Sequence, residues 1–399
     1  MVNAGESQFW RPEDRLLLLL LRREVDKEAL GQIDQILRDS LDWTYLFDQA
    51  REQAVFPLMY QKLLSISPES IPPALRTQLN QEFKNIVRHN LLLTHELIRL
   101  LELFGEQEIS AIPYKGPIWA AGFYENLASR FFFDLDILVS REDILKAKEL
   151  LVAQGYRPEH KMNRLQEKWK LLFDCEYQLD HPKTGVHAEI HWRIVPGYIR
   201  FNIEMDAIWR RAGTVFLNGR EVKTLSEADT LSVLCIHHGA KHLWSDLQSM
   251  VDLDRFLSVH DALDWAQLLE QAKKQGIYRI LCTGLLLAKG VLNTQLPEAL
   301  DNAIESDRAV RLFTARISGG LPDKQRQSFP NLKRIVLYFR LRERLVDQLR
   351  YLPMLMYDVI RPTEKERSLV TLHGPISFLY VLIRPVRLLL KYAAALLRK

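Results

Sequence analysis

The sequence has few cysteines, little net charge and no long apolar run, and each shortage excludes a class of protein. Its 399 residues include only Cys175, Cys235 and Cys282, too few and too widely spaced for a disulfide framework or a Cys-rich zinc site. Lysine and arginine number 54 against 50 acids, and a net charge of +4 does not indicate general nucleic-acid binding. No stretch reaches the roughly 18 apolar residues of a membrane span, and the N-terminus lacks a basic start with an apolar core. We therefore expect a cytoplasmic protein without a signal peptide, in which the short leucine run 16–21 is a buried helix.

Two aspartates interrupt an apolar strand pattern that runs from Phe131 to Val139. Alternation along a strand places Asp134 and Asp136 on one face, where two carboxylates are costly unless a cation neutralises them. Aspartate oxygens suit Mg²⁺. A second alternating strand, Val186–Trp192, carries Glu189 on its polar face. A lone Asp-x-Asp pair on a solvent-facing strand has no meaning, but with a third acid on a second strand it indicates a two-metal site.

The residues before this acidic pair favour phosphate binding. A strand from Ile109 stops in the turn Lys115–Gly116, ahead of a helix predicted around 118–124. Glycine at this point lets a phosphate approach backbone N–H groups at a helix start. Arg130, four residues before the first aspartate, adds a cation for phosphate. After the strand, Ser140 predicts a helix start, and this helix extends to about Gly155.

The remaining pattern predicts helices on both sides of a strand-bearing middle. The first region begins a helix at Pro12 and continues with helices at about 27–39, 41–53, 56–65 and 74–104, with a proline- and serine-rich loop at 65–73 and an end at Gly105. Hairpins are predicted between 175–179 and 186–192, and through Asn218-Gly219 between 214–217 and 221–224. Later helices are predicted at about 227–243, 246–259, 264–275, 278–291, 297–317 and 331–351, with a break at 319–322. The domains are accordingly 1–105, 106–225, 226–318 and 319–399.

Histidines give two further constellations. His187, Glu189 and His191 alternate along one strand, but side chains four residues apart on a strand lie roughly 13 Å apart and converge poorly on one zinc ion. We interpret Glu189 as a Mg²⁺ ligand flanked by histidines that support it. His238 and His242 lie on one helix face and are either core histidines or, with Lys241, contacts to phosphate from the helical side of a cleft.

Together these residues carry a resemblance. The order Lys115-Gly116, Arg130, Asp134-x-Asp136, Gly155-Tyr156 and Glu189-Ile190-His191-Trp192 resembles the uncharacterised nucleotidyltransferase family of bacteria, within the polymerase-β-like nucleotidyltransferase superfamily. The resemblance continues through 234–244 to Asp252. It implies an α+β fold in which residues 106–225 form a small mixed sheet with helices, residues 226–318 close the cleft, and helical N- and C-terminal regions flank both. It also implies an acid triad of Asp134, Asp136 and Glu189 that holds two Mg²⁺ ions, for which Mn²⁺ could substitute.

The implied activity is transfer of a nucleoside monophosphate from an NTP to an acceptor hydroxyl or phosphate, with release of pyrophosphate. The acceptor is unidentified and could be a small molecule, a sugar or a protein. Glu189 would complete the site of the metal that activates the acceptor and help remove its proton. The superfamily's second Gly or Ser is replaced by Pro117, so Lys115 or Arg130 would take over the triphosphate contact. This departure leaves open a second reading, a non-catalytic relative that binds a nucleotide or a partner.

The C-terminal segment 376–397 is apolar with interspersed cations and no acid. Such a basic amphipathic helix is typical either of peripheral contact with an anionic membrane or of a last helix docked on the protein. Pro385 predicts a kink or a division within it. The sequence alone leaves both roles open.

Overall fold

The structure, a computed structural model, describes residues 10–124, 126–160, 162–196, 201–321, 339–349, 383 and 385–387. Every helix within these ranges is too short or too polar to cross a lipid bilayer. The predicted C-terminal segment 376–397 lies outside the described residues apart from positions 383 and 385–387.

Five helices form the N-terminal region: α1 (Pro12–Leu21), α2 (Lys27–Arg38), α3 (Trp43–Glu52), α4 (Phe56–Ile66) and α5 (Pro73–Glu106). The leucine run 16–21 is buried on all sides, because α1 packs against α2, α3 and α4. The predicted helices and the loop before α5 are confirmed. The prediction that Gly105 closes this helix is wrong: Gly105 lies within α5, which runs to Glu106, and the left-handed residue beyond it is Glu108, with φ +56°.

A five-stranded mixed sheet occupies the middle of the chain, in the order β1-β2-β5-β4-β3. The strands are β1 (Ala111–Pro113), β2 (Asp134–Val139), β3 (Arg157–Pro158), β4 (Glu176–Asp180) and β5 (His187–His191), and the helices among and after them are α6 (Pro117–Phe123), α7 (Ile144–Ala153), α8 (Arg164–Phe173) and α9 (Met205–Arg211). β2 and β5 pair in parallel, and the other neighbours are antiparallel. The predicted β4–β5 hairpin and the α+β fold class are confirmed.

A separate hairpin follows, formed by β6 (Gly213–Leu217) and β7 (Arg220–Thr224). Asn218 and Gly219 in its turn have φ values of +50° and +77°. Positive φ at both central residues is the requirement of a type I′ turn, so the predicted turn is confirmed.

The helices after the strands are α10 (Glu227–Leu234), α11 (Leu247–Val259), α12 (Trp265–Gln275), α13 (Tyr278–Leu292), α14 (Glu298–Ser306) and α15 (Arg308–Ser318). The single helix predicted at 297–317 is wrong. Asp307 divides it, because its carboxylate accepts hydrogen bonds from the backbone N–H groups of Ala309 and Val310 and caps α15. Positions 339–341 and 345–349 are helical, and the rest of the predicted helix 331–351 lies outside the described residues, apart from 342–344, which are not helical.

The helix predicted at 227–243 also changes character within its length. α10 ends at Leu234 and continues into a π-helical turn, Cys235–Lys241. Leu243 and Trp244 then have left-handed φ values of +58° and +52°, which bulky residues adopt only where packing enforces them. π-Helical turns like Cys235–Lys241 occur preferentially at functional sites.

Packing around the indole of Trp244 explains this enforced conformation. The indole Nε1 donates to the backbone oxygen of Ile280 at 3.1 Å, and the ring fills the space beside two glycines. A Cβ on Gly239 would lie 2.6 Å from the indole, and one on Gly284 would lie 2.5 Å from it. The indole therefore holds the turn against α13.

Three helices around the sheet differ from the prediction, and one of them is α9, since no helix was predicted at Met205–Arg211. α7 begins at Ile144 instead of near Ser140, because the Ser140 hydroxyl bonds the backbone N–H and carboxylate of Asp143 in a preceding turn. α8 was not predicted, since its larger apolar side chains, including Trp169 and Phe173, are exposed and form no buried stripe.

Candidate active site

Parallel pairing of β2 with β5 assembles the acidic residues. Asp136 lies opposite Glu189 in the register, and Asp134 lies opposite His187. Alternation puts these side chains on one face of the sheet, together with His191. Residues about 50 positions apart in sequence thereby become neighbours, which a crossover connection allows.

Asp136 is the most deeply buried of the acids, with 3% of its surface exposed. Its Oδ1 accepts from Lys115 Nζ at 2.5 Å and lies 3.1 Å from His191 Nε2. Burial alone would raise the pKa of Asp136, but Lys115 and His191 outweigh it and hold this pKa below its usual value. Its Oδ2 is buried and has no hydrogen-bond partner among the described residues.

Glu189 is held from three directions. Its Oε1 accepts from Gln178 Nε2 at 2.9 Å and lies 3.5 Å from His187 Nε2, while its Oε2 lies 3.4 Å from His191 Nε2. These histidines outweigh the effect of burial and hold the pKa of Glu189 far below its usual range. In turn, Glu189 above all, with Asp180, raises the pKa of His187 to about 9.

Asp134 is the first residue of β2. It is half-buried, and burial, followed by the charge of Asp136, raises its pKa to about 6. This direction is opposite to that of Asp136, which has Lys115 beside it. Two neighbouring carboxylates with opposed pKa shifts mark a place where negative charge is under-compensated.

The Lys115–Gly116 turn lies directly against the acids. Lys115 bonds Asp136, and Gly116 has φ +48° with the backbone oxygen of Asp134 only 3.0 Å from where a Cβ would be. Only glycine fits this left-handed, close approach without strain. The turn then enters α6, whose first residue, Pro117, has no N–H to offer.

Arg130 does not point into open space in this structure. Its Nε and Nη2 donate to the two carboxylate oxygens of Asp252 at 2.8 and 2.9 Å, and both residues are buried. Tyr124 donates to the same carboxylate at 2.6 Å, and His238 Nε2 lies 3.0 Å from it. The contact of Arg130 with phosphate stays a prediction; its observed partner joins the loop before β2 to α11.

The π-helical turn brings a further histidine to the site, His237, which the sequence analysis did not single out. Its ring centroid lies 5.0 Å from that of His242. Burial, followed by the charge of Lys115 and then those of neighbours that include Lys241, lowers the pKa of His237 well below its usual value. The predicted residue His242 thus lies against His237, and Lys241 is near enough for its charge to act on that ring, whereas His238 is buried on Asp252. The doublet His237-His238 was visible in the sequence, but the π-helical turn that contains it was not.

The donor set fits a divalent cation. One ligand atom each from Asp136, Glu189 and His191 lie within 4.8 Å of one another, and the buried Asp136 Oδ2 lacks a described partner. Carboxylate oxygens next to each other in a buried place are costly without a cation. Lys115 supplies part of that positive charge in the structure.

Comparisons with known proteins give one family and a distant structural likeness. Residues 39–293 match the model of a family described as uncharacterised nucleotidyltransferase. Among curated proteins, none matches. Among solved structures, the chain is similar to the lincosamide antibiotic adenylyltransferase LnuA in its lincomycin-bound form, with 17% sequence identity, a TM-score of 0.27, and coverage of 41% of this chain and 96% of that chain.

Proposed function

The chain belongs to the uncharacterised nucleotidyltransferase family and is an enzyme of that kind, and from this premise we propose that it transfers a nucleoside monophosphate from an NTP to an acceptor. The acceptor's hydroxyl or phosphate oxygen forms a bond to the α-phosphorus as the bond from that phosphorus to the oxygen it shares with the β-phosphate breaks, and pyrophosphate leaves. A hydroxyl acceptor releases its proton to solvent, with the help of Glu189. The observation that carries this proposal is the parallel register that sets Asp136 beside Glu189, two residues from Asp134.

We propose that Asp134, Asp136 and Glu189 hold two Mg²⁺ ions, for which Mn²⁺ could substitute. The buried, unpartnered Asp136 Oδ2 among the described residues supports this assignment. Bound there, such ions would neutralise the charge that develops on the transferring phosphate and on the attacking and leaving oxygens. Glu189 would complete the ligand set next to the acceptor, with His187 and His191 fixing its carboxylate.

Lys115 is the proposed cation for the triphosphate. Its ammonium group already lies at the acids, 2.5 Å from Asp136, so an arriving phosphate needs only a small movement of a flexible side chain. Gly116 leaves its backbone open to close approach. From the helical region, Lys241 and His242 would contact the nucleotide, with His237 next to His242.

Calorimetric titration of the full chain with each NTP and Mg²⁺, with a pyrophosphate assay of the same samples, tests the proposal. We expect Mg²⁺-dependent binding that Asp134→Asn abolishes. The matched control is Glu142→Gln, which removes an exposed acid in the turn after β2. Asp134→Asn is preferred over substitution of Asp136, because Asp136 is a buried partner of Lys115 and its loss would perturb folding.

Three outcomes are distinguishable. Binding with pyrophosphate release establishes transfer and turns attention to the acceptor. NTP binding without pyrophosphate release, when small-molecule, sugar and protein acceptors have each been added, favours the alternative that the protein is a non-catalytic relative which binds a nucleotide. Absence of binding for every NTP, or equal binding by Asp134→Asn, contradicts the proposal.

A further inference from the structure

A second cluster of ligand-type groups lies behind the acids, on the other side of His191. β4 and β5 pair so that Glu176 lies opposite His191, and Cys175 immediately precedes β4. Glu176 Oε2 is 3.4 Å from Cys175 Sγ and 3.4 Å from His191 Nδ1. The three ligand atoms lie within 4.8 Å of one another.

These separations suit a tetrahedral ion. Zinc binds thiolate sulfur at about 2.3 Å and imidazole nitrogen or carboxylate oxygen at about 2.0–2.2 Å, so neighbouring ligand atoms around it lie roughly 3.3–3.6 Å apart. Both 3.4 Å distances fall in that range. A set of sulfur, nitrogen and oxygen favours zinc and excludes magnesium.

Two buried polar atoms at this place form no hydrogen bond of regular geometry within the part of the chain that the structure describes, although Glu176 Oε2 lies 3.4 Å from the first of them. One is His191 Nδ1, on a side chain with 2% exposure, and the other is the Tyr114 hydroxyl, on a side chain with 1%. The two rings lie 5.4 Å apart, edge to face. Buried polar atoms without a regular hydrogen bond are rare in folded proteins, and they indicate a ligand, an ion or a water molecule at the site.

We propose that Cys175, Glu176 and His191 form a zinc site that is separate from the acid triad. The ion would take the Cys175 sulfur, a Glu176 oxygen and His191 Nδ1, and its fourth position is left for a water molecule, to which the Tyr114 hydroxyl would hydrogen-bond. Binding displaces the thiol proton of Cys175 and the proton on His191 Nδ1, and both are released to solvent.

The zinc ion would also determine which ring nitrogen of His191 carries the proton. With Nδ1 on the ion, the remaining proton of the imidazole is confined to Nε2. That nitrogen lies 3.1 Å from Asp136 and 3.4 Å from Glu189, so it donates to the two carboxylates that the proposed transfer uses. The zinc site is thus a structural support behind the triad, and its existence does not depend on the proposed reaction.

The proposed zinc site is tested by measuring the zinc content of the protein. The full chain is stripped with EDTA, incubated with zinc chloride, dialysed and analysed for zinc by mass spectrometry. We expect about one tightly bound zinc ion per chain, and a loss of affinity in Cys175→Ala and Glu176→Gln greater than the ~10–100-fold typical of removing an outer-shell partner. Two controls should keep the zinc: Cys235→Ala removes another buried thiol, and Asp134→Asn alters the triad.

Cobalt gives an independent readout, since Co²⁺ in the proposed site would show a thiolate charge-transfer band that Cys175→Ala lacks. Unfolding of each metal-free variant by urea verifies that a loss of zinc is not a loss of fold. No tight zinc in the wild type would overturn the proposal and leave a hydrogen-bonded Cys-Glu-His chain. Zinc that disappears with Asp134→Asn but remains in Cys175→Ala belongs to the triad and would also overturn it. Because zinc content needs no substrate, either result is separable from a failure of the nucleotidyl-transfer proposal.

Discussion

The buried pair of Arg130 and Asp252 gives a stability prediction that can be worked through in detail. Asp252 has 0% exposure and Arg130 8%, and both oxygens of the carboxylate accept from the guanidinium at 2.8 and 2.9 Å. Asp252→Asn keeps the shape of the side chain but leaves a buried guanidinium without its counter-charge. Breaking a buried pair in this way costs about 3–5 kcal/mol. We expect a reduction of this size in the free energy of unfolding, measured by urea titration.

An exposed pair supplies the control. Asp34→Asn breaks the contact with Arg38 on α2, where the side chains are 64% and 77% exposed, and such pairs contribute less than about 1 kcal/mol. In a double-mutant cycle, Arg130→Gln and Asp252→Asn should be non-additive by about 0.5–3 kcal/mol. If Asp252→Asn cost no more than Asp34→Asn, the pair would not join the β2 loop to α11 as inferred.

The pH dependence of this variant has a defined sign. Burial alone would raise the pKa of Asp252, but Arg130 and His238 outweigh it and hold the pKa well below the usual 3.8. Because the folded pKa is the lower one, the stabilisation is complete above the unfolded pKa and is lost as pH falls through the folded pKa. The difference in unfolding free energy between the wild type and Asp252→Asn should therefore narrow below about pH 4. A difference that grew with acidification would contradict the assignment.

Glycine substitutions give two further predictions. Gly116→Ala would place a Cβ at φ +48° and 3.0 Å from a backbone oxygen, so we expect the free energy of unfolding to fall by more than the ~1 kcal/mol of a left-handed alanine and NTP binding to weaken. Gly185→Ala, at φ +72° with no described atom within 4 Å, measures the backbone cost alone. Equal effects of the two variants would contradict the close approach at Gly116. Gly239→Ala would place a methyl group 2.2 Å from an Ile280 carbon, and we expect the free energy of unfolding, measured by urea titration, to fall by about 3 kcal/mol. The control is Gly31→Ala on α2, where no described atom lies within 4 Å, and it should be neutral or stabilising by up to about 1 kcal/mol. A tolerated alanine at position 239 would refute the packing described for the π turn.

Local signals in the sequence predicted most of the elements. Asn218-Gly219 specifies a turn that only positive φ values satisfy, and Pro12 is the first residue of α1 as predicted. Asp307 was missed because a capping aspartate in the middle of an apolar periodicity looks like one more polar position of the same helix. α8 was missed because its apolar residues face outward, so that hydrophobic periodicity carries no information about burial there.

The acids of the site were predictable as residue types, and their arrangement was not. Alternation within each strand placed Asp134 with Asp136 on one face, but nothing local states that Glu189 pairs opposite Asp136. The same limit applies to Arg130, whose partner Asp252 is 122 positions away. Pairings of this kind depend on how strands and helices pack over the whole domain. A π-helical turn such as the one at His237 also changes which residues share a helix face, and a regular 3.6-residue periodicity does not predict that change.

The parallel pairing of β2 with β5 also has a consequence for the order of folding. Glu189 is brought next to Gln178 by a short hairpin, whereas Asp134 and Asp136 reach it only after β2 docks across a connection that contains α7, β3, α8 and β4. Closing that long loop is the slower, entropically costlier event. A chain arrested before it has its hairpin but no assembled triad, so an ion that requires all three acids stabilises only the completed sheet. Ion binding would then report on the docking of β2 against the β4–β5 hairpin.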